Sequence, residues 1–106
     1  MENCIFCKII NKEASADFVY EDERIVVIKD IHPQAPVHLL IIPKKHIVSI
    51  AHLKDEDKEL IAEMIIVAKK VAEEKKLKGY KLIFNVGREG GQIVDHIHLH
   101  LLAGKF

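Results

Sequence analysis

Three histidines alternate with apolar residues near the carboxyl end of the sequence, in the order His96-Ile97-His98-Leu99-His100-Leu101. In a β-strand alternate side chains point to the same face, whereas in a helix residues i and i+2 lie about 200° apart. The pattern therefore predicts a strand with three imidazoles on one open face and the apolar residues on the other, toward a core. A single histidine in a strand is usually a surface residue, but three in strict alternation indicate either catalysis or metal binding.

The other elements of the sequence predict an α+β fold. Apolar runs rich in β-branched residues, bounded by charge or proline, predict five strands, at residues 18–21, 24–29, 38–42, 80–86 and 94–102. Asp22 and Glu23 predict a tight turn between the first two strands, and Pro33 and Pro36 place a loop before the third.

Helical periodicity replaces strand alternation over residues 55–77, where apolar residues recur at i, i+3 and i+4. Acidic residues begin this segment and lysines end it, which complements the helix dipole, and Gly79 offers a stop. Residues 4–11 predict a short N-terminal helix. The order of elements indicates one domain over residues 1–106, with a five-stranded antiparallel sheet, one long helix and one short helix.

Charge and hydropathy exclude several kinds of partner. Sixteen basic residues balance sixteen acidic ones, so the chain lacks the basic excess typical of proteins that bind nucleic acid. Its apolar runs are far shorter than the roughly 20 residues that span a bilayer, so we expect no membrane partner. The first residues carry no basic-then-apolar run, and two cysteines three positions apart are no disulfide framework. We therefore expect a cytoplasmic protein.

Longer segments resemble a known family. The alternating histidines, followed by two leucines, resemble the histidine triad signature, His-x-His-x-His with two apolar residues after it. Residues 30–38, 42–46, 85 and 90–92 are similar to the Hint branch, the histidine triad nucleotide-binding proteins, and the resemblance extends from residue 4 to residue 105. It implies a single HIT domain with a HIT-like fold.

The resemblance implies a purine nucleotide-binding hydrolase that cleaves nucleoside 5'-phosphoramidates. His98 matches the nucleophile that forms a nucleotidyl-histidine, and His38 and His100 match the histidines that contact phosphate oxygens. A neutral imidazole is a competent nucleophile at neutral pH, provided that a hydrogen bond fixes its tautomer. Two alternatives stay open: a dinucleoside polyphosphate hydrolase, and a nucleotide-binding or protein-interaction module with little turnover.

The same resemblance implies where a nucleotide of the AMP or GMP type binds. Asp30 matches the acid that accepts hydrogen bonds from the ribose. The apolar base pocket matches Phe6, Ile9, Ile28, Ile31 and Leu40, each of which is otherwise plain core. The family positions near the phosphate and the leaving group correspond to Asn85, Gly91, Gln92, Ile93 and Val94. Ile93 stands where Hint relatives carry a hydroxyl residue, and its side chain has no proton to donate to a leaving group. No organic cofactor is expected.

A zinc site and a homodimer are also implied. Cys4 and Cys7 form a CxxC pair, and by resemblance His46 and His96 complete a structural zinc site with them. The alternative is two reduced thiols with the two histidines as hydrogen-bond partners. In the implied dimer, the long helix and the strand from Tyr80 meet a second copy, so that Met64, Ile65 and Ala68 face the partner as well as the core.

Overall fold

Two helices cover a five-stranded antiparallel sheet in the computed structural model, which describes residues 3–104. The strands lie in the order β1-β2-β3-β5-β4, so that β3 is central, β5 is interior and β1 and β4 are the edges. The elements are α1 (Ile5–Ile10), β1 (Phe18–Glu21), β2 (Ile25–Lys29), β3 (Val37–Pro43), α2 (Lys58–Glu74), β4 (Lys81–Ile83) and β5 (Leu99–Ala103). The predicted fold class is confirmed.

Both faces of the central strands are apolar because each face is covered. Alternate residues of β2 and β3, such as Val27 and Leu39, pack with α2 in one buried cluster. The intervening residues, such as Ile28 and Leu40, pack with Phe6 and other residues of α1 in a second cluster. This explains why β2 and β3 read as continuous apolar runs, since neither strand has a side that faces water.

The turn between β1 and β2 is held by the acid predicted to make it. The Asp22 carboxylate accepts hydrogen bonds from the backbone N–H groups of Arg24 and Ile25, both at 2.8 Å. It also accepts one from the Tyr20 hydroxyl at 2.6 Å. Aspartate favours turns because its side chain satisfies backbone donors two and three residues on.

The long helix is shorter than its sequence pattern. A single 3₁₀ turn, Asp55–Asp57, precedes α2, and the helix ends at Glu74 rather than near residue 77. The stop is made by Lys76, whose φ of 58° is left-handed. The Leu77 N–H then donates to the Ala72 carbonyl at 3.0 Å, which closes the helix terminus as a Schellman motif does. Gly79 is therefore not the residue that ends the helix.

The last two strands are also shorter than predicted. β4 covers three residues instead of residues 80–86, and β5 begins at Leu99 instead of residue 94. The intervening loop is held by the Gln92 amide, which donates to the carbonyls of Val48 and Val94, and by the Ile97 N–H, which donates to Ile47 at 2.7 Å. Because these bonds go to residues outside the sheet, His96 and His98 precede the strand rather than belong to it.

Exposed apolar side chains occur on α2 and on and around edge strand β4, whose three residues are all exposed. We call these residues together the α2/β4 surface. Met64 and Ala68 are fully buried in the core, so the expectation that they also face a partner is wrong. The exposed residues of this surface are Ile65, Ile66, Tyr80, Leu82, Ile83 and Val86. Within residues 3–104, no helix is long and apolar enough to cross a bilayer.

Candidate active site

A cavity of about 470 Å³ opens on the face of the sheet that carries α1. It brings together every catalytic and nucleotide-binding residue predicted from the sequence except Gln92. Its apolar lining includes Phe6, Ile9, Ile28, Ile31 and Leu40, and its other predicted residues are Asp30, His38, Asn85, Gly91, Ile93, Val94, His98 and His100. The lining therefore combines apolar side chains with imidazoles, an amide and a carboxylate.

The ring of His98 is held in one tautomer. Its Nδ1 lies 2.8 Å from the backbone carbonyl oxygen of His96, and because a carbonyl only accepts, Nδ1 carries the proton. The unshared lone pair is then on Nε2, on a ring that lines the cavity. Burial lowers the pKa of His98, although the bond to His96 acts in the opposite direction, so the ring is neutral at neutral pH.

His38 and His100 take the opposite tautomer. The backbone N–H of Gln34 donates to His38 Nδ1 at 3.1 Å, so the His38 proton resides on Nε2. That nitrogen lies 2.9 Å from His100 Nδ1 and 3.3 Å from Asp30 Oδ2. His100 therefore accepts at Nδ1 and carries its own proton on Nε2. The Asn85 side-chain amide lies 3.4 Å from that nitrogen, and because Nε2–H is a donor, the amide oxygen is the atom of Asn85 that can accept from it.

Burial and neighbouring imidazoles favour the neutral form of His100. Its pKa is lowered from 6.5 to about 4, first by burial and then by His98 and His38, while Asp30 acts in the opposite direction. The arrangement thus presents a lone pair on one imidazole beside an N–H donor on the next, their ring centres 4.8 Å apart. A lone pair suits attack on phosphorus, and an N–H donor suits a phosphate oxygen.

The CxxC pair meets two histidines beneath the cavity. Cys4 Sγ lies 3.4 Å from His96 Nδ1, and Cys7 Sγ lies 3.3 Å from His46 Nδ1 and 3.6 Å from His96 Nδ1. All four ligand atoms lie within 4.8 Å of one another. A tetrahedral zinc ion with bonds of about 2.0–2.3 Å holds its ligands about 3.3–3.8 Å apart. The spacing therefore fits such an ion.

The tautomer of His96 fits a metal as well. Its Nε2 lies 2.8 Å from the Pro43 carbonyl oxygen, to which it donates, so the lone pair is on the Nδ1 that faces the two sulfurs. Such a carbonyl partner is the usual support of a zinc-bound histidine. His96 is wholly buried, and burial lowers its pKa from 6.5 to about 4, which keeps the lone pair free. The prediction that all three imidazoles face an open cleft is wrong for His96.

A second set of possible ligands has the wrong protons for a metal. The ligand atoms of Asp30, His38 and His100 also lie within 4.8 Å of one another. However, the Gln34 N–H occupies the lone pair of His38 Nδ1, which leaves a proton on the nitrogen that would have to bind the metal. This set fits a chain of hydrogen bonds, not a metal centre.

Gln92 lies outside the cavity, and its predicted place beside the phosphate is not what the structure shows. The side chain is buried, and its amide oxygen accepts from the Gly87 N–H at 2.9 Å. Its amide nitrogen donates to the carbonyls of Val48 and Val94, at 2.6 and 2.9 Å. With its hydrogen-bonding capacity used inside the protein, Gln92 shapes the glycine-rich loop instead of contacting a ligand.

Several contributors to the site were not predicted. The Gln34 N–H and the Pro43 carbonyl, which set the tautomers of two histidines, are backbone groups, and residue type carries no signal for them. The remaining unpredicted lining residues are Ile5, Ser15, Ala16, Lys29, His32, Gln34, Ile83 and Leu102. His32 precedes Pro33 in a loop, and of these positions it alone had a side chain suggestive of function.

Comparison with known proteins agrees with this geometry. The family model described as "Scavenger mRNA decapping enzyme C-term binding" matches residues 3–106. The chain is 45% identical over 106 residues to the purine nucleoside phosphoramidase of Escherichia coli K12, with 98% of this chain and 89% of that protein covered. The crystal structure of a HIT family hydrolase from Legionella pneumophila Philadelphia 1 superposes with a TM-score of 0.95 at 55% identity, covering 98% of this chain and 95% of that one.

A zinc-bound relative also shares the fold. The histidine triad family protein of Mycobacterium smegmatis, described as Zn-bound, superposes with a TM-score of 0.86 at 34% identity, over 98% of this chain and 76% of that one. Since relatives this similar match nearly the whole sequence, the chain belongs to the histidine triad family of hydrolases.

Proposed function

We propose that the chain is a purine nucleoside phosphoramidase that acts through a nucleotidyl-histidine on His98. The observation that carries the proposal is the tautomer of His98. Its Nδ1–H donates to the His96 carbonyl, so the free lone pair is on Nε2 of a ring that lines the cavity. The same activity is named for the E. coli relative. A buried, neutral imidazole needs no base to become a nucleophile, which suits hydrolysis near neutral pH.

The cavity has the chemistry to hold a purine nucleoside monophosphate group. The apolar side chains of the lining, such as Phe6, Ile9 and Leu40, offer a contact surface for a purine. Asp30 supplies acceptor oxygens for the two ribose hydroxyls, and one of these oxygens also accepts the His32 N–H at 2.8 Å. The N–H of His100 and the amide of Asn85 lie on the imidazole side, where the phosphate oxygens would bind.

The proposed reaction has two steps. His98 Nε2 attacks the α-phosphorus and forms a P–N bond, while the bond to the leaving nitrogen breaks with its electron pair. That nitrogen takes a proton from water and departs as an amine, since the exposed Ile93 beside the cavity has no proton to donate. A second water molecule then attacks phosphorus, and the P–Nε2 bond breaks with its electron pair returning to His98. The proton that this water loses neutralises the hydroxide left by the first step, and the nucleoside monophosphate is released.

An adenosine phosphoramidate tests the proposal. Wild-type protein should release the amine and, when quenched during turnover, should carry a covalent nucleotidyl group that peptide mapping places on His98. His98→Ala should lose at least about 10³-fold in kcat. His52→Ala, which changes an exposed histidine outside the cavity, is the matched control. Equal rates for wild type and His98→Ala contradict the mechanism, and faster hydrolysis of a diadenosine polyphosphate contradicts the substrate class.

We also propose that Cys4, Cys7, His46 and His96 hold a structural zinc ion. The support is the ligand spacing, the Nδ1 lone pair of His96 and the zinc-bound relative from M. smegmatis. A closed four-ligand zinc ion supplies a crosslink between distant segments rather than an activated water. Thiolate ligands persist in a reducing compartment, which agrees with a cytoplasmic location.

Finally, we propose a homodimer through the surface formed by α2 and β4. Apolar residues such as Ile66 on α2 and Leu82 on β4 are exposed to 50% and 38%, and β4 is an edge strand. Edge strands pair readily with a second chain, and large apolar patches usually mark an interface. Two copies that join at β4 would extend the five-stranded sheet into a second one.

A further inference from the structure

One residue, His96, links the proposed nucleophile His98 to the Cys/His cluster. The cluster consists of Cys4, Cys7, His46 and His96. The side chain of His96 belongs to the cluster, while its backbone carbonyl accepts the Nδ1–H of His98 at 2.8 Å. Because β5 begins only at Leu99, the sheet hydrogen bonds do not hold this carbonyl. Its peptide unit is held from two sides instead. The Ile97 N–H of that unit donates to the Ile47 carbonyl at 2.7 Å, and the His96 side chain is anchored to Pro43 through Nε2 and contacts two sulfurs through Nδ1.

A second contact joins the same two places. Phe6 lies between Cys4 and Cys7 on α1, and its ring meets both histidines edge-on. The centre of the Phe6 ring is 5.8 Å from that of His96 and 5.0 Å from that of His98, with interplanar angles of 78° and 79°. Edge-to-face packing at this range restricts ring orientation. The placement of α1, which its two cysteines secure, therefore bears on the orientation of His98.

We propose that the Cys/His cluster positions the nucleophile, with Cys7 acting through His96 and Phe6 as a positioning residue for His98. Loss of the cluster would leave the His96–Ile97 peptide unit held on its Ile97 side alone, and it would loosen the helix that carries Phe6. His98 would then lose the hydrogen bond that keeps its lone pair on Nε2, and attack on phosphorus would slow although nucleotide still binds. The proposal rests on the proposed function only where it concerns the rate of attack.

Cys7→Ser tests this because Cys7 does not line the nucleotide cavity. With histidine labelled by ¹⁵N, long-range proton–nitrogen spectra at neutral pH should show His98 solely as the Nδ1–H tautomer in wild type. In Cys7→Ser they should show a mixture of tautomers. The single-turnover rate of nucleotidyl-histidine formation should fall by about 10–100-fold, the scale on which supporting residues act. The Kd of AMP should rise by a smaller factor, because Phe6 and Ile9 on α1 also line the cavity.

Lys8→Ala is the matched control, since Lys8 is an exposed neighbour on the same helix. It should keep the wild-type tautomer and rate. If Cys7→Ser does not fold, His46→Asn removes the other partner of Cys7 and should give the same two changes. A folded variant of either kind with an unchanged tautomer and rate overturns the proposal, as does one that weakens only AMP binding.

The two proposals can fail separately. If wild-type protein forms no nucleotidyl-histidine, the proposed function is wrong. The tautomer measurement needs no substrate, so it still decides whether the cluster positions His98. Conversely, a normal wild-type intermediate with an unaltered tautomer in Cys7→Ser overturns only the inference about positioning.

Discussion

Nε2 of His38 and Nδ1 of His100 lie 2.9 Å apart, with the proton on His38. Because His100 accepts there, its own proton is directed from Nε2, beside Asn85. The hydrogen bonds therefore all run in one direction. The Gln34 N–H donates to His38, His38 donates to His100, and the Nε2–H of His100 is left as a donor in the cavity.

Removing that donor should slow the reaction more than it weakens binding. His100→Leu keeps an apolar side chain of moderate size but loses the N–H, so we expect kcat to fall by about 10²–10³-fold, as for other donors to developing charge. Steady-state kinetics on an adenosine phosphoramidate measure this. His52→Leu, at an exposed site outside the cavity, should leave kcat unchanged. A rise in KM with normal kcat would assign His100 to ground-state binding alone.

Metal content should depend on the CxxC pair. Purified wild-type protein should contain about one zinc per chain by plasma mass spectrometry, and a variant with both Cys4→Ser and Cys7→Ser should contain almost none. A strong chelator should lower the Tm of wild type, because metal-binding free energy contributes to folding free energy. The double variant should show no such shift. Zinc retained without the two thiols would disprove the proposed ligand set.

A charge on the apolar surface should separate the proposed dimer. Ile66→Glu places a carboxylate on the exposed face of α2, where burial against a second copy would cost several kcal/mol. Sedimentation analysis at micromolar concentration should give dimers for wild type and monomers for the variant. Asn11→Glu adds the same charge at the exposed end of α1, away from α2 and β4, and should remain dimeric. A monomeric wild type would rule the dimer out.

Gly104 should tolerate no side chain. Its φ is +118°, and a Cβ there would lie 2.5 Å from Cγ of Pro36. Strain and overlap together should cost Gly104→Ala about 2–4 kcal/mol in the free energy of unfolding. Gly79→Ala is the control, because nothing lies within 4 Å of its Cβ position. Urea denaturation compares the two, and equal stability would show that the Pro33–Pro36 loop moves aside.

Acid should destabilise the fold through its buried imidazoles. The pKa of His100 is about 4 in the folded chain and 6.5 when unperturbed. Between these values the unfolded chain binds more protons, so stability is complete above pH 6.5 and declines toward pH 4. Thermal unfolding should show Tm lower by about 5 °C at pH 5 than at pH 7.

A variant isolates the contribution of one ring. His100→Gln removes one of the groups whose pKa is lowered, so the dependence of Tm on pH should become shallower. A slope as steep as that of wild type would mean that other groups govern acid stability.

Periodicity predicts the elements of this fold where packing is regular. β2 and β3 lie between two covered faces, and their apolar runs match the observed strands within a residue or two. The same reasoning overextends β4 and β5, because strand alternation persists in residues 94–98 although the backbone there bonds to the Gln92 loop. Residue type shows which way side chains alternate, but not where a sheet ladder stops.

The candidate site shows the same limit of sequence-based prediction. Side chains with distinctive chemistry, such as His98 and Asp30, are identified from the sequence and its family resemblance, and the structure brings them into one cavity. The groups that assign their protons are backbone atoms of Gln34, Pro43 and His96, which any residue type would supply. Gln92 shows the converse, since a side chain suited to a ligand is consumed by the protein itself.

The interior position of β5 has a consequence for synthesis. β5 lies between β3 and β4 but follows both in the chain, so β4 has no neighbour to pair with until β5 emerges from the ribosome. His96, His98 and His100 arrive with it, and until then the two thiols near the start lack one of their histidines. A nascent chain that already carries both helices therefore has an incomplete sheet and lacks the three histidines of the site. Insertion of β5 between β3 and β4 completes the sheet and the site together.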